Sequence, residues 1–191
     1  MKLYFNKPSP YARKVRIVAH EKSLIDRLEW HEVDPWTDPP ELLAANPLAK
    51  VPALLTDDGT LITESTQICL FLDEVGDGRK LIDGAPWQVI SRVGLAQGLI
   101  DAGYTIVIER RHQAAQQSPE WIDRQSRAIV RTLPRVEIAD GRFDLGNISL
   151  ACALAYMDFR LPEIPWRAPR PDLAHWLDQV SQRPSLRATA A

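Results

Sequence analysis

The chain has 191 residues, with 23 Lys and Arg against 25 Asp and Glu and a net charge of −2. This length suits one domain or two small ones, and the charge balance argues against a general nucleic-acid binder, which carries a basic excess. No apolar run approaches the ~20 residues that span a bilayer. The start Met1-Lys2-Leu3-Tyr4-Phe5 is strand-like and soon meets Pro8, unlike a secretory leader. Cys69 and Cys152 stand far apart in apolar surroundings, outside any Cys-x-x-Cys pair. Buried, inert thiols and a cytoplasmic location are therefore expected.

Residues 2–5 read as a short buried strand, followed by the loop Asn6-Lys7-Pro8. Ser9 suits an N-cap and Pro10 the first helical position. Val15, Ile17, Val18 and Ala19 give this helix an apolar side, and Arg13, Lys14 and Arg16 are expected to cover much of the rest. Leu28 to Val33 reads as a second strand. A Pro- and Trp-rich loop, 34–40, leads to a short helix over 40–45 that ends before Asn46-Pro47. Val51 to Thr56 and Thr60 to Thr63 read as strands joined by Asp57-Asp58-Gly59, a strong hairpin signal. From Glu64 a helix runs to about Val75, with Ile68, Leu70, Phe71 and Leu72 expected inside.

Residues 76–86 are richer in Gly and charge, and a domain boundary is placed there. Beyond it the pattern is helical: a long helix over about 86–116, and a second starting at Ser118-Pro119-Glu120. Pro134 should kink or end that second helix, because it removes a backbone donor. A third helix is expected over 148–159, and a fourth from 171–172 to 183–184. Arg110-Arg111-His112 reads as a solvated helix face. The order predicts an α/β N-terminal domain (βαβαββα, 1–76), a linker (77–87) and an all-α C-terminal domain (88–191).

Three segments can present polar groups from fixed element ends: Ser9-Pro10, Lys50-Val51-Pro52 and Glu64-Ser65. Together they suit a small, charged, peptide-like molecule. Each alone reads first as a structural device: a cap, a solvated lysine before a strand, a second cap. His20, His31, His112 and His175 are scattered, with no metal-ligand spacing and no Ser-His-Asp set, so no metal is expected. No Gly-rich phosphate loop occurs.

The stretches Ser9-Pro10-Tyr11-Ala12-Arg13-Lys14-Val15, Asn46-Pro47-Leu48-Ala49-Lys50-Val51-Pro52-Ala53-Leu54, Glu64-Ser65, 95–103 and 170–185 together resemble the glutathione transferase superfamily, over essentially the whole chain and in order. The nearest likeness is to cytosolic bacterial members with serine in the first helix turn. The resemblance implies a thioredoxin-like N-terminal domain, a helical domain and a two-fold homodimer. One departure stands out: where the core helix of the family's second domain opens with Ser/Thr-x-x-Asp, the matching stretch here is Ser149-Leu150-Ala151-Cys152, so Ser149 caps without a reciprocal acid.

The resemblance also implies roles. Glutathione would be the co-substrate, with Ser9 as the catalytic residue. A thiol near pKa 8.5 is mostly protonated at neutral pH. A hydroxyl donating to sulfur and the positive end of the helix both favour the thiolate. Tyr4 and Tyr11 are rival hydroxyls, Tyr4 reading better as core. If Val51–Pro52 is cis, the Val51 backbone turns outward and pairs with the ligand's cysteinyl backbone; spacing alone favours trans. Lys50 would meet a ligand carboxylate. Glu64 would attract the ammonium, and the Ser65 hydroxyl and N–H would take the α-carboxylate. Asp101 of a partner would approach the γ-glutamyl amine, with a surface acid as the plainer reading. Tyr11, Tyr104 and Ile108 would line the acceptor pocket, or else belong to the core. The implied activity is thiolate attack on a small apolar electrophile. The alternative is a glutathione-binding or regulatory protein of the same fold without turnover. Disulfide exchange is disfavoured, because Ser9 stands where it needs a cysteine.

Overall fold

β1 (Lys2–Phe5) is the strand around which the first unit is built, with Leu3, Tyr4 and Phe5 all buried. An apolar run without alternation belongs in the middle of a sheet covered on both faces. β1 pairs in parallel with β2 (Glu29–Glu32) and antiparallel with β3 (Ala53–Leu55). β3 pairs antiparallel with β4 (Leu61–Thr63), so the strand order is β2-β1-β3-β4. Gly59, at φ +83°, turns the β3–β4 hairpin, and Asp58 Oδ1 accepts the Thr60 N–H at 3.1 Å. The computed structural model describes residues 1–139 and 141–190. Asp140 and Ala191, within the expected 88–191 domain, lie outside the described residues.

α1 (Pro10–Glu21) follows β1, α2 (Pro40–Ala45) precedes β3, and α3 (Ser65–Val75) follows β4. Of Arg13, Lys14 and Arg16, expected to cover much of α1 outside its apolar side, Lys14 and Arg16 are themselves buried. Two neighbours on α1 explain it. On one side Lys14 Nζ donates to Thr66 Oγ1 on α3 at 3.0 Å. On the other, Arg16 lies over the Phe5 ring at 5.1 Å and donates to the Ala188 carbonyl at 3.3 Å. Long stems let both cations cover apolar surface while their heads find partners.

That second neighbour is the returning C-terminal segment. α8 (Pro184–Ala188) packs on α1, with Arg183 and Ser185 both on the Glu21 carboxylate at 2.7 and 2.5 Å. The first unit is therefore Met1–Leu81 together with the segment from Arg183 on, and the second is Ile82–Gln182. On α3 the buried face is Ser65, Ile68, Cys69, Leu72 and Asp73. Leu70, expected inside, falls off that stripe and is exposed, and Phe71 is half-buried.

The second unit holds α4 (Pro86–Glu109), α5 (Pro119–Thr132), α6 (Leu145–Arg160) and α7 (Pro171–Val180). α4 stops seven residues before the expected 116, and a separate 3₁₀ turn spans Ala114–Gln116. The Gln117 side chain donates to the Arg110 and His112 carbonyls at 3.3 and 2.8 Å, and Glu109 accepts the Ser118 N–H at 2.7 Å. These bonds stand in for the next helical turn. α5 ends just before Pro134, as its missing donor requires.

α6 begins at Leu145 rather than 148, and its cap is Asp144, whose Oδ1 accepts the Asn147 N–H at 3.0 Å. Ser149 is not the cap. It lies inside the helix and donates back to the Leu145 carbonyl at 2.7 Å. Residues 144–154 are all buried, the signature of a helix enclosed on every side. α4 packs against α6 at Gly103, where an added Cβ would stand 3.3 Å from Leu161 Cδ1 and 3.6 Å from Tyr156 Cδ1. The helix expected from 171–172 to 183–184 is α7, which ends at Val180, and α8 is a further helix that begins where the expected one was to stop.

Candidate functional site

The sheet register brings the three singled-out segments to one end. Tyr4 lies opposite Ala53, and Ala53 opposite Thr63. The chain therefore leaves β1 toward Ser9, enters β3 from Val51-Pro52, and leaves β4 toward Glu64-Ser65, all past the same sheet end. α1 and α3 both start there, so two sets of N-terminal N–H groups face that end. Such ends favour anions.

Ser9 caps α1: its Oγ accepts the Ala12 N–H at 3.2 Å, with extended backbone at φ −74°, ψ 120°. A hydroxyl has one hydrogen and two lone pairs, so capping consumes an acceptor site and leaves the hydrogen available. Capping and donation to a ligand are compatible. The rival Tyr4 belongs to the core cluster with Val33, Leu42 and Ala53, and its ring stacks on His31 at 5.0 Å. Tyr11 is half-buried in the first turn of α1.

The Val51–Pro52 bond is cis. Val51 lies beyond the last β1–β3 pairing, Tyr4↔Ala53, so its backbone is outside the ladder. The Lys50 side chain is exposed. A residue that sequence reasoning read only as a helix stop, Asn46, shapes this loop. It is buried, its Nδ2 donates to the Lys50 carbonyl at 2.9 Å, and its Oδ1 accepts the Leu48 N–H at 3.1 Å. The Asn46 carbonyl also accepts the Ala49 N–H at 3.0 Å, where Ala49 takes φ +50°. The available signal was Asn followed by Pro, a turn initiator.

Glu64 precedes α3 at φ +66°, ψ 120°, a backbone region that non-glycine residues rarely occupy and that costs on the order of 1–3 kcal/mol. Its side chain is exposed and makes no cap bond. Ser65 is 2% exposed, and its Oγ has no hydrogen-bond partner among the described residues. A buried hydroxyl left unmatched costs about 1–3 kcal/mol, so it marks a place where a partner belongs.

Asp101, Tyr104 and Ile108 belong to the second unit, on α4. Asp101 is exposed and accepts from Gln97 Nε2 at 3.0 Å. Tyr104 and Ile108 are half-buried one turn apart. Burial pushes the Tyr104 phenol up, against the pull of Arg111. Among the described residues no group of His, Cys, Asp and Glu is placed to hold a metal, and no helix is long and apolar enough to cross a membrane.

A four-stranded mixed sheet with helices, followed by a helical domain, is the thioredoxin-like two-domain architecture. The glutathione S-transferase N-terminal domain model matches residues 8–75, and the corresponding C-terminal domain model matches 119–179. An uncharacterized GST-like protein, YibF, of Escherichia coli (strain K12) is 31% identical over 99% of this chain and 98% of its own length. A glutathione transferase family member from Pseudomonas fluorescens Pf-5, crystallised with bound glutathione, superposes with a TM-score of 0.93 at 36% identity, covering 99% of this chain and 98% of that one. A glutathione S-transferase from Methylobacterium radiotolerans, in complex with glutathione sulfonate, gives 0.89 at 32% identity, covering 99% and 93%. The chain belongs to the glutathione S-transferase family.

Proposed function

We propose that this protein is a glutathione transferase that binds reduced glutathione at the sheet end described above and uses Ser9 to hold the ligand's sulfur as a thiolate. The observation that carries the proposal is the buried, unpartnered Ser65 hydroxyl at the start of α3. It lies past the same sheet end as a Ser9 hydroxyl whose hydrogen is not consumed by its cap. Glutathione has an anionic group for each: the γ-glutamyl α-carboxylate for Ser65 and the thiolate for Ser9. The Val51 backbone pairs with the cysteinyl unit between them, Glu64 attracts the glutamyl ammonium, and Lys50 meets the glycyl carboxylate. In a two-fold homodimer, Asp101 adds a second acid for that ammonium.

Catalysis is then thiolate stabilisation and positioning. The thiol proton passes to solvent as Ser9 and the α1 N-terminus stabilise the anion. The sulfur lone pair forms a C–S bond to an electrophilic carbon, and the displaced electron pair leaves with the departing group or is protonated on the adduct.

The test is a titration of bound glutathione, followed by thiolate ultraviolet absorbance, for wild type and Ser9→Ala. A bound-thiol pKa well below 8.5 in wild type, restored toward that value in the variant, is expected. Binding with an unshifted thiol pKa and no turnover identifies instead a glutathione-binding protein of the same fold. Failure to bind glutathione sinks the whole assignment.

A further inference from the structure

The α3 start differs from an ordinary helix N-terminus in one respect: an ammonium is built in behind it. Lys14 is fully buried, and its Nζ donates to Thr66 Oγ1 at 3.0 Å. Thr66 is the second residue of α3, adjacent to Ser65, whose buried hydroxyl has no partner among the described residues. An ammonium removed from water acts on nearby groups through little screening. A hydroxyl that accepts from a cation is also polarised as a donor in turn. Lys14 stands five residues after Ser9 on the same helix, so one element carries both the thiol-facing cap and the cation beside α3.

On the reading that the site binds glutathione, we infer that Lys14 is the positioning residue for the ligand's γ-glutamyl α-carboxylate, acting through Thr66 to favour an anion at Ser65. The consequence is selectivity: the pocket prefers γ-glutamyl ligands with a free α-carboxylate over those in which this group is neutral. Lys14 does not touch the ligand in this assignment; Ser65 does.

The experiment is a binding cycle on the full-length protein by isothermal titration. The ligands are glutathione and an analogue with the glutamyl α-carboxylate converted to its amide; the proteins are wild type and Lys14→Met. Wild type should prefer glutathione by about tenfold or more, the scale of one charge-assisted hydrogen bond. Lys14→Met should bind glutathione about tenfold more weakly yet lose little further with the amide. Lys14→Arg should restore most of the preference. A merely structural lysine would weaken both ligands alike, and that result, or an unchanged preference, overturns the inference. Thr66→Val, which keeps the lysine and removes its contact, carries the same cycle should Lys14→Met fail to fold. Wild-type protein that binds neither ligand overturns the glutathione reading as well; binding with a flat cycle overturns only the role of Lys14.

Discussion

The Asn46 carboxamide donates to the Lys50 carbonyl at 2.9 Å across four residues and so holds the loop that leads through Val51-Pro52 into β3. Replacing Asn46 with Ala removes this bond and orphans the Leu48 N–H as well. The expected cost is about 1–3 kcal/mol of stability, read by urea unfolding. A several-fold rise in the dissociation constant for glutathione should accompany it. Full stability with unchanged affinity would show that the loop holds its shape without this side chain.

Ser9 is assigned two duties that substitutions can separate. Ser9→Ala loses the cap as well as the donor, at about 1 kcal/mol of stability. Ser9→Asp keeps an acceptor for the Ala12 N–H but has no hydrogen to give when ionised. Ser9→Asp should therefore unfold near wild-type denaturant concentrations and still lose the depressed thiol pKa. Retention of that pKa in Ser9→Asp would show that the helix end alone supplies the effect.

Lys22 and Asp73 form a buried ion pair at 3.1 Å between the end of α1 and α3. Lys22 Nζ also donates to the Arg79 carbonyl at 3.1 Å, and Asp73 accepts the Leu81 N–H at 2.9 Å. Removing one partner leaves a buried charge uncompensated, so Lys22→Met or Asp73→Asn should each cost about 3–5 kcal/mol. The double replacement should cost less than the sum. Gly76 packs against the same lysine at its Cβ: an added Cβ would stand 2.6 Å from Lys22 Cβ and 2.8 Å from the Leu72 carbonyl, so Gly76→Ala should destabilise strongly. Additive single effects by thermal unfolding would contradict the pairing.

The cap of α6 gives an ordered series. Asp144 accepts the Asn147 N–H and also pairs with Arg92, whereas Ser149 only back-bonds to Leu145. Asp144→Ala should lose cap and ion pair together, and the cap alone is worth about 0.5–2 kcal/mol. Asp144→Asn should keep the cap and lose the pair, and Ser149→Ala should cost least. A larger loss for Ser149→Ala than for Asp144→Ala would reverse the assignment.

Burial pushes the Tyr156 phenol from 10 up to about 12, with Arg160 pulling the other way. The fold therefore favours the neutral phenol. That stability is complete below about pH 10, where the unfolded chain is also neutral. It is lost as pH rises toward 12, because the unfolded chain ionises first. Across that window wild type should lose up to about 1.4 kcal/mol per pH unit more than Tyr156→Phe. Parallel slopes for the two proteins would exclude the phenol as the cause.

Much of the fold is legible along the chain because the rules involved are local. Ser9-Pro10 and Ser118-Pro119 mark helix starts, Asp57-Asp58-Gly59 marks the hairpin, and Pro134 marks a helix end, each within four residues of its effect. Ser149 resembles a cap locally for the same reason, yet Asp144 lies where the chain turns into α6. The early end of α4 depends on Gln117 reaching back to Arg110 and His112, which no local propensity announces.

The amino-acid order alone specified a small mixed sheet, its following helices and the three polar segments Ser9, Lys50-Val51-Pro52 and Glu64-Ser65. Periodicity and turn chemistry act between near neighbours, so these follow from the string of residues. Only the tertiary structure decided that these segments share one sheet end, since strand register pairs residues dozens apart. It also decided that Lys14 and Arg16 are buried, that the tail returns to α1, and that the Ser65 hydroxyl is left unmatched. Burial of a polar group depends on what packs over it from distant sequence, and that is fixed only when the chain has closed on itself.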